Sequence, residues 1–323
     1  MIDWIFGFVL LLLFVMENIY FKIAEKYKII DVPNERSSHH AITLRGGGVI
    51  FYLGVLVYGL TFGFFAPWFL CGLTLVAVVS FLDDMHPLSA KLRLLVQALA
   101  LLLLMVQLGM HEVSWGYVIL ALFVCLAILN IYNFMDGING ITGGYSLVVL
   151  LALWAINKWV VQIAPAGFIP VIILSLLVFN FYNFRIHARC FSGDVGAVSI
   201  AFILLFLLGT FIVRTGEISA LILFGVYGID GVLTIIHRLM LKENIGQPHR
   251  KHLYQLLANE GKVPHLSVSL IYMAVQALVS AGYLLVAVYL PSYTLLYAIA
   301  SVILLVAIYL PLRRKYYALW TGK

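Results

Sequence analysis

The sequence predicts an all-α polytopic membrane protein, and three observations predict it. Of the 323 residues, 63% are hydrophobic and only 11% are charged, where an average soluble domain is about 25% charged. A soluble fold of this size would lack the polar residues to cover so much apolar surface. The apolar residues fall into separate runs near the length of about 20 that a helix needs to cross the hydrocarbon. Finally, the basic residues gather on alternate breaks between those runs, as they do when one face of a membrane protein looks into the cytoplasm.

Eleven spans follow from the runs, near 2–21, 47–65, 68–82, 94–110, 115–132, 143–161, 167–183, 196–213, 218–236, 268–290 and 293–311. The first reads as a transmembrane helix rather than a cleavable signal. Asp3 precedes it, no basic segment leads it, and Lys22, Lys26 and Lys28 follow it. The third is short, and the break Ala66-Pro67-Trp68 separates it from the second. Loops after odd-numbered spans, together with the tail, hold 18 of the 20 Lys and Arg residues, leaving Lys158 and Arg214 for the other side. The N-terminus is therefore expected outside and the C-terminus inside. The net charge of +6 reads as topology rather than nucleic-acid binding. Residues 1–323 form one membrane domain without low-complexity segments or repeats. Cys71, Cys125 and Cys190 show no metal or disulfide spacing and read as small core residues.

Five acids carry the functional reading: Asp83, Asp84, Asp136, Asp194 and Asp230, each expected at or near the cytoplasmic end of an odd-numbered span. Acids beside apolar helices are costly and tend to be functional. Asp83-Asp84 precedes His86-Pro87, Lys91 and Arg93. Two adjacent carboxylates are stable as a charged pair only beside a cation; the plainer reading is a helix stop closed by Pro87. Asn133, Asp136 and Asn139 repeat at three-residue spacing in a turn with Gly137, Gly140, Gly143 and Gly144. Oxygen donors in such a turn suit a hard cation such as magnesium. A calcium loop would require an acid at its twelfth position, which is missing. Asp194 stands between Gly193 and Gly196 at the start of the eighth span. A helix start there would favour a bound phosphate, unless Asp194 merely caps it. His249-Arg250-Lys251-His252 offers four donors for phosphate oxygens, and lacks the partners of a zinc site. Residues 31–40 and Arg45-Gly46-Gly47-Gly48 form a polar loop that opens the second span, and a flexible hinge would also explain it.

Taken in order from about 31 to 260, these motifs resemble the polyprenyl-phosphate N-acetylhexosamine-1-phosphate transferases, glycosyltransferase family 4. The stretches Pro33-Asn34-Glu35-Arg36-Ser37-Ser38-His39, Arg45-Gly46-Gly47-Gly48 and His249-Arg250-Lys251-His252 look like the bacterial branch that starts O-antigen or capsule synthesis. The resemblance implies transfer of a sugar-1-phosphate from a UDP-N-acetylhexosamine to undecaprenyl phosphate, with UMP released at the cytoplasmic face of the bacterial inner membrane. It implies catalytic roles for Asp83 and Asp84, and magnesium, with manganese as a substitute, on Asn133 and Asp194. Nucleotide-sugar contacts fall to Asp136, Asn139, His249, Arg250, His252 and Arg45, and lipid-phosphate contacts to Lys91 and Arg93. Asp230 falls on a family position with a positioning role only. The sugar, the polysaccharide pathway, a direct or aspartyl-phosphate route, and the oligomeric state, a homodimer included, stay open. A transporter would place its polar residues at mid-membrane on paired halves. An intramembrane aspartyl protease would need glycine where Phe191 stands.

Overall fold

The computed structural model describes residues 3–32, 42–244, 246–247 and 249–321. It is a helical bundle with one small β-pair. The helices are α1 (Asp3–Tyr27), α2 (Val49–Phe62), α3 (Pro67–Met85), α4 (Ala90–Gln107), α5 (Trp115–Met135) and α6 (Ile141–Trp159). They continue with α7 (Phe168–Asn183), α8 (Gly193–Thr215), α9 (Gly225–Met240), the short α10 (Leu253–Asn259), α11 (His265–Tyr289) and α12 (Thr294–Thr321). Each of the eleven expected spans contains a helix. Nine helical segments among the described residues are long and apolar enough to cross a membrane, and α2 and α7 are shorter apolar helices.

The differences from expectation have local causes. Helix α2 stops at Phe62 because Gly63 turns away at φ +96°. Pro67 opens α3 at its first turn, where a missing N–H costs nothing. The helix then runs on through Asp83 and Asp84, so the acidic pair belongs to its last turn rather than to a loop. The ninth span is composite, with a 3-10 segment (Ile218–Phe224) feeding α9. Helix α12 continues ten residues past Pro311.

Helix α8 is the axis of the bundle. Every residue from Gly193 to Leu208 is buried, as a helix that is apolar all round requires. It packs against α2, α3, α5 and α6, with Phe69 and Phe206 stacked at 4.2 Å. Helices α4, α5, α11 and α12 leave large apolar side chains such as Leu99, Phe123, Leu278 and Ile303 exposed. Such a surface suits lipid tails and not water. Strands β1 (Ile30–Asp31) and β2 (Thr43–Leu44) pair antiparallel, and Leu44 bridges to Cys190. That bridge ties the loop before α2 to the loop before α8. Residues 33–41, which include most of the polar stretch singled out at 31–40, lie outside the described residues.

Candidate functional site

The ends of α3, α5 and α7 and the starts of α2, α4, α6 and α8 meet at one end of the bundle. Three of the predicted acids converge there. Asp84 accepts hydrogen bonds from the Asp194 and Val195 backbone N–H groups at 2.9 and 3.0 Å. The start of α8 therefore presents its N–H groups to a carboxylate of the chain itself. This corrects the expectation of a helix start open to phosphate. Two of the free N–H groups there are satisfied by Asp84, whose negative charge the helix dipole favours. Asp194 lies inside the first turn of α8, and the capping position is Ser192.

Two arginines bind the acids together. Arg45 Nε lies 2.6 Å from Asp84 and its Nη2 lies 3.0 Å from Asp194. Arg93 Nη1 reaches Asp83 at 2.8 Å and Asp194 at 3.0 Å. The Leu88 N–H donates to the other oxygen of Asp83. Burial alone would lower the Arg45 guanidinium, but the Asp84 and Asp194 carboxylates overcome it and hold Arg45 above its ordinary range. Asn133, in the last turn of α5, places its amide 3.2 Å from Asp194. The packing that allows this is tight. A methyl group at Gly48 would lie 2.3 Å from the Gly196 Cα, so α2 and α8 touch backbone to backbone. Gly193 has φ +71°, and a side chain there would strike Asp84 at 2.4 Å.

Beside this cluster is a cavity of about 190 Å³, lined in part by Asp31, Arg45, Asn133, Asp136, Asn139 and Asp194. Burial pushes the Asp136 carboxyl up to about 7, against the Thr142 hydroxyl that donates to it at 2.7 Å. Asn139 is committed to the fold. Its amide nitrogen donates to the Arg185 and Ile186 carbonyls at 2.8 and 3.1 Å. What Asn139 can offer a ligand is therefore its side-chain oxygen. Asn183, which no motif singled out, accepts from the Gly140 N–H and donates to the Cys190 carbonyl, both at 2.8 Å. It locks the Asn133–Gly144 turn onto the loop before α8. Its one signal in the sequence is a polar residue closing an apolar run.

The 249–252 segment divides into two parts. His249 and Arg250 line a second cavity of about 370 Å³ with Arg238, Lys251 and Trp320. Burial, and then the neighbouring His252, Arg238 and Lys251, push His249 down to about 3. His249 is thus a neutral ring whose Nδ1 accepts from the Lys251 N–H at 3.3 Å. His252, one of the four donors expected here, is only 1% exposed. Its Nδ1 lies 3.3 Å from Asp230. Asp230 also accepts from the Leu253 and Tyr254 N–H groups at 3.0 and 3.4 Å and from the Tyr272 and Tyr309 hydroxyls at 2.7 and 3.1 Å. It lies near the middle of α9 rather than at its end, and α10 dips into the bundle to reach it. The Tyr254 hydroxyl then bonds the Phe134 carbonyl at 2.9 Å, which ties this segment to the α5 turn. Lys91 is exposed on the first turn of α4 and joins none of these ion pairs among the described residues.

The two expected magnesium ligands are neighbours, with Asn133 Nδ2 3.2 Å from Asp194. Among the described residues no three His, Cys, Asp or Glu side chains form a cage that could hold a metal unaided. Magnesium is ordinarily held by one or two carboxylates, with waters and substrate phosphates completing the shell. Asp194 is one such carboxylate, and its oxygens are here engaged by Arg45, Arg93 and the Asn133 amide nitrogen.

The Glycosyl transferase family 4 model matches residues 66–212, the stretch that runs from α3 through most of α8. A probable undecaprenyl-phosphate N-acetylglucosaminyl 1-phosphate transferase of Bacillus subtilis (strain 168) is 29% identical over 287 residues, covering 82% of this chain and 79% of that protein. The undecaprenyl-phosphate alpha-N-acetylglucosaminyl 1-phosphate transferase of Escherichia coli (strain K12) is 29% identical over 289 residues, covering 81% and 78%. The protein of that name from Yersinia pestis is 26% identical over 303 residues, covering 86% and 82%.

Proposed function

As a homologue of glycosyl transferase family 4 enzymes, this chain, we propose, moves an N-acetylhexosamine-1-phosphate from its UDP donor onto undecaprenyl phosphate at the cytoplasmic face of the bacterial inner membrane. The product is undecaprenyl-pyrophosphate-sugar, the first lipid-linked intermediate of an O-antigen, capsule or cell-wall polysaccharide. The observation that carries this reading is the meeting of Asp83, Asp84, Asp194 and Asn133 with Arg45 and Arg93 at one end of an apolar bundle. Few tasks other than handling phosphates call for so many charges of both signs beside a lipid-facing surface.

In the reaction an oxygen of the lipid phosphate bonds to the phosphorus that carries the sugar. The bond from that phosphorus to the bridging oxygen breaks, and UMP leaves with the electron pair. Such transfer asks a protein mainly for positioning and charge neutralisation. Magnesium, held by Asp194 and Asn133, would offset the charge of the donor diphosphate. Arg93, at the start of α4, receives the lipid phosphate, with Lys91 drawing it in from the surface. Arg45, Arg250 and the neutral His249 contact the donor, and Asp136 and the Asn139 oxygen face its sugar and nucleoside. His252 and Asp230 hold that loop in place. Phosphomonoesters lose their second proton near pH 6, so the nucleophile arrives ionised and needs no strong base. Asp83 has one oxygen engaged by Leu88 and the other by Arg93, which favours direct attack over an aspartyl-phosphate route. Asp84, held by α8 and Arg45, keeps the metal-binding helix in register.

The test mixes purified protein with undecaprenyl phosphate, magnesium and a panel of UDP-N-acetyl sugars. UMP release with formation of the lipid-pyrophosphate-sugar is expected for one or a few of them. Asp194→Ala is expected to abolish it. Undiminished turnover in that variant, or no product from any sugar, sinks the assignment.

A further inference from the structure

Two further cavities lie at the end of the bundle away from the acids. One, of about 470 Å³, opens among the α2–α3 connection, the end of α4, the α6–α7 connection and the end of α8. The other, of about 530 Å³, lies beside it at the end of α6, and Gln162 lines both. Arg214 lines the first and Lys158 the second. These are the two basic residues, of 20 in the chain, that fall outside the loops of the acidic end. The topological bias keeps positive charge scarce at this end, and both of these cations line adjoining cavities.

No acid of the described residues pairs with either of them. Glu217, which stands at the same end, is committed to Ser219 and Thr294 at 3.0 and 2.8 Å. Arg214 spends one nitrogen on the Gln162 carbonyl, which leaves the rest of its fork for another acceptor. Guanidinium forks match the oxygens of a phosphate. Lys158 lies 5.4 and 5.6 Å from the Trp154 and Trp159 ring centroids. Tryptophan beside lysine at a helix end is the composition of a membrane–water boundary. A water-soluble anion has no use for such walls, whereas a lipid headgroup with its acyl chains alongside does.

We propose that these adjoining cavities hold the phosphate group of an anionic phospholipid from the leaflet opposite the catalytic end. Arg214 and Lys158 provide the charge, Gln162 lies between them, and the two tryptophans bracket the lipid at the interface. The site is independent of the transfer reaction, since none of these residues belongs to the acidic cluster.

Native mass spectrometry of the full-length protein, equilibrated with phosphatidylglycerol, counts the lipids that stay bound. Arg214→Gln with Lys158→Gln is expected to retain one phosphatidylglycerol fewer than the parent. The charge-keeping pair Arg214→Lys with Lys158→Arg should retain the parental number. Both variants should release UMP at the parental rate, which shows that they are folded. Phosphatidylcholine should show no such difference, and inorganic phosphate should leave the lipid in place. Equal lipid counts in the glutamine variant, equal retention of phosphatidylcholine at the site, or displacement by inorganic phosphate would overturn the proposal.

Discussion

Arg45 is a single side chain bonded to acids on two helices, Asp84 of α3 and Asp194 of α8. A lysine has the charge but not the fork, and cannot span both. Arg45→Lys is expected to lower UMP release about a hundredfold, the loss of roughly 3 kcal/mol, with the amount of protein in the membrane unchanged. His249 gives a pH signature of its own. Unfolded, it takes up a proton near pH 6.5, whereas folded it does so only near 3. Between these values the unfolded chain binds more protons, so acid favours unfolding. The contribution of the neutral ring is whole above pH 6.5 and is lost progressively as pH falls towards 3. In His249→Gln the decline of melting temperature on acidification should be shallower than in the parent. Equal slopes would show that His249 titrates as an ordinary exposed histidine.

At the level of elements, α10 depends on a buried carboxylate. Asp230 accepts from two N–H groups at the start of α10, from His252 and from two tyrosines. Removing it leaves several buried donors without an acceptor, at about 1–3 kcal/mol each. Asp230→Ala should raise the KM for the UDP-sugar far more than it lowers the affinity for the lipid, because the donor loop is the part released. Two residues past the end of α9, Lys242 has φ +57°, a conformation that costs a residue with a Cβ about 1–2 kcal/mol. Lys242→Gly should raise thermal stability by about 1 kcal/mol without altering turnover, as measured by unfolding in detergent. These arrangements mark where sequence reading stops. Hydropathy places the spans well, because the bilayer imposes their length on each segment separately. It also gathers Asp83, Asp84, Asn133, Asp136 and Asp194 at one end. It cannot tell that Asp84 serves the start of α8, that Asp230 lies deep in α9, or that His252 is buried against Asp230. Each of those facts depends on which helix is neighbour to which, and no local pattern carries that information. The same limit hid Asn183, whose work is done through a turn 43 residues upstream in the chain.

At the scale of the molecule, the site is an assembly of helix ends held at a fixed distance by two glycines. Gly48 and Gly196 let α2 and α8 meet backbone to backbone. Close approach of this kind is how helices associate where water provides no drive. Gly196→Ala is expected to push the two helices apart, separate Arg45 from Asp194 and abolish UMP release while the protein still accumulates in the membrane; retained activity would mean that α2 can shift without carrying Arg45 along. Asp84, fixed in α3, meets its partners in α8 only after about a hundred further residues have been made and inserted. Until then a half-built chain has neither a stable acidic pair nor a place for a diphosphate. On the proposed function, a chain still being made therefore has no complete acidic cluster with which to consume donor or lipid phosphate. On that function, competence arrives only when α8 has closed the acidic cluster and α10 has settled on Asp230.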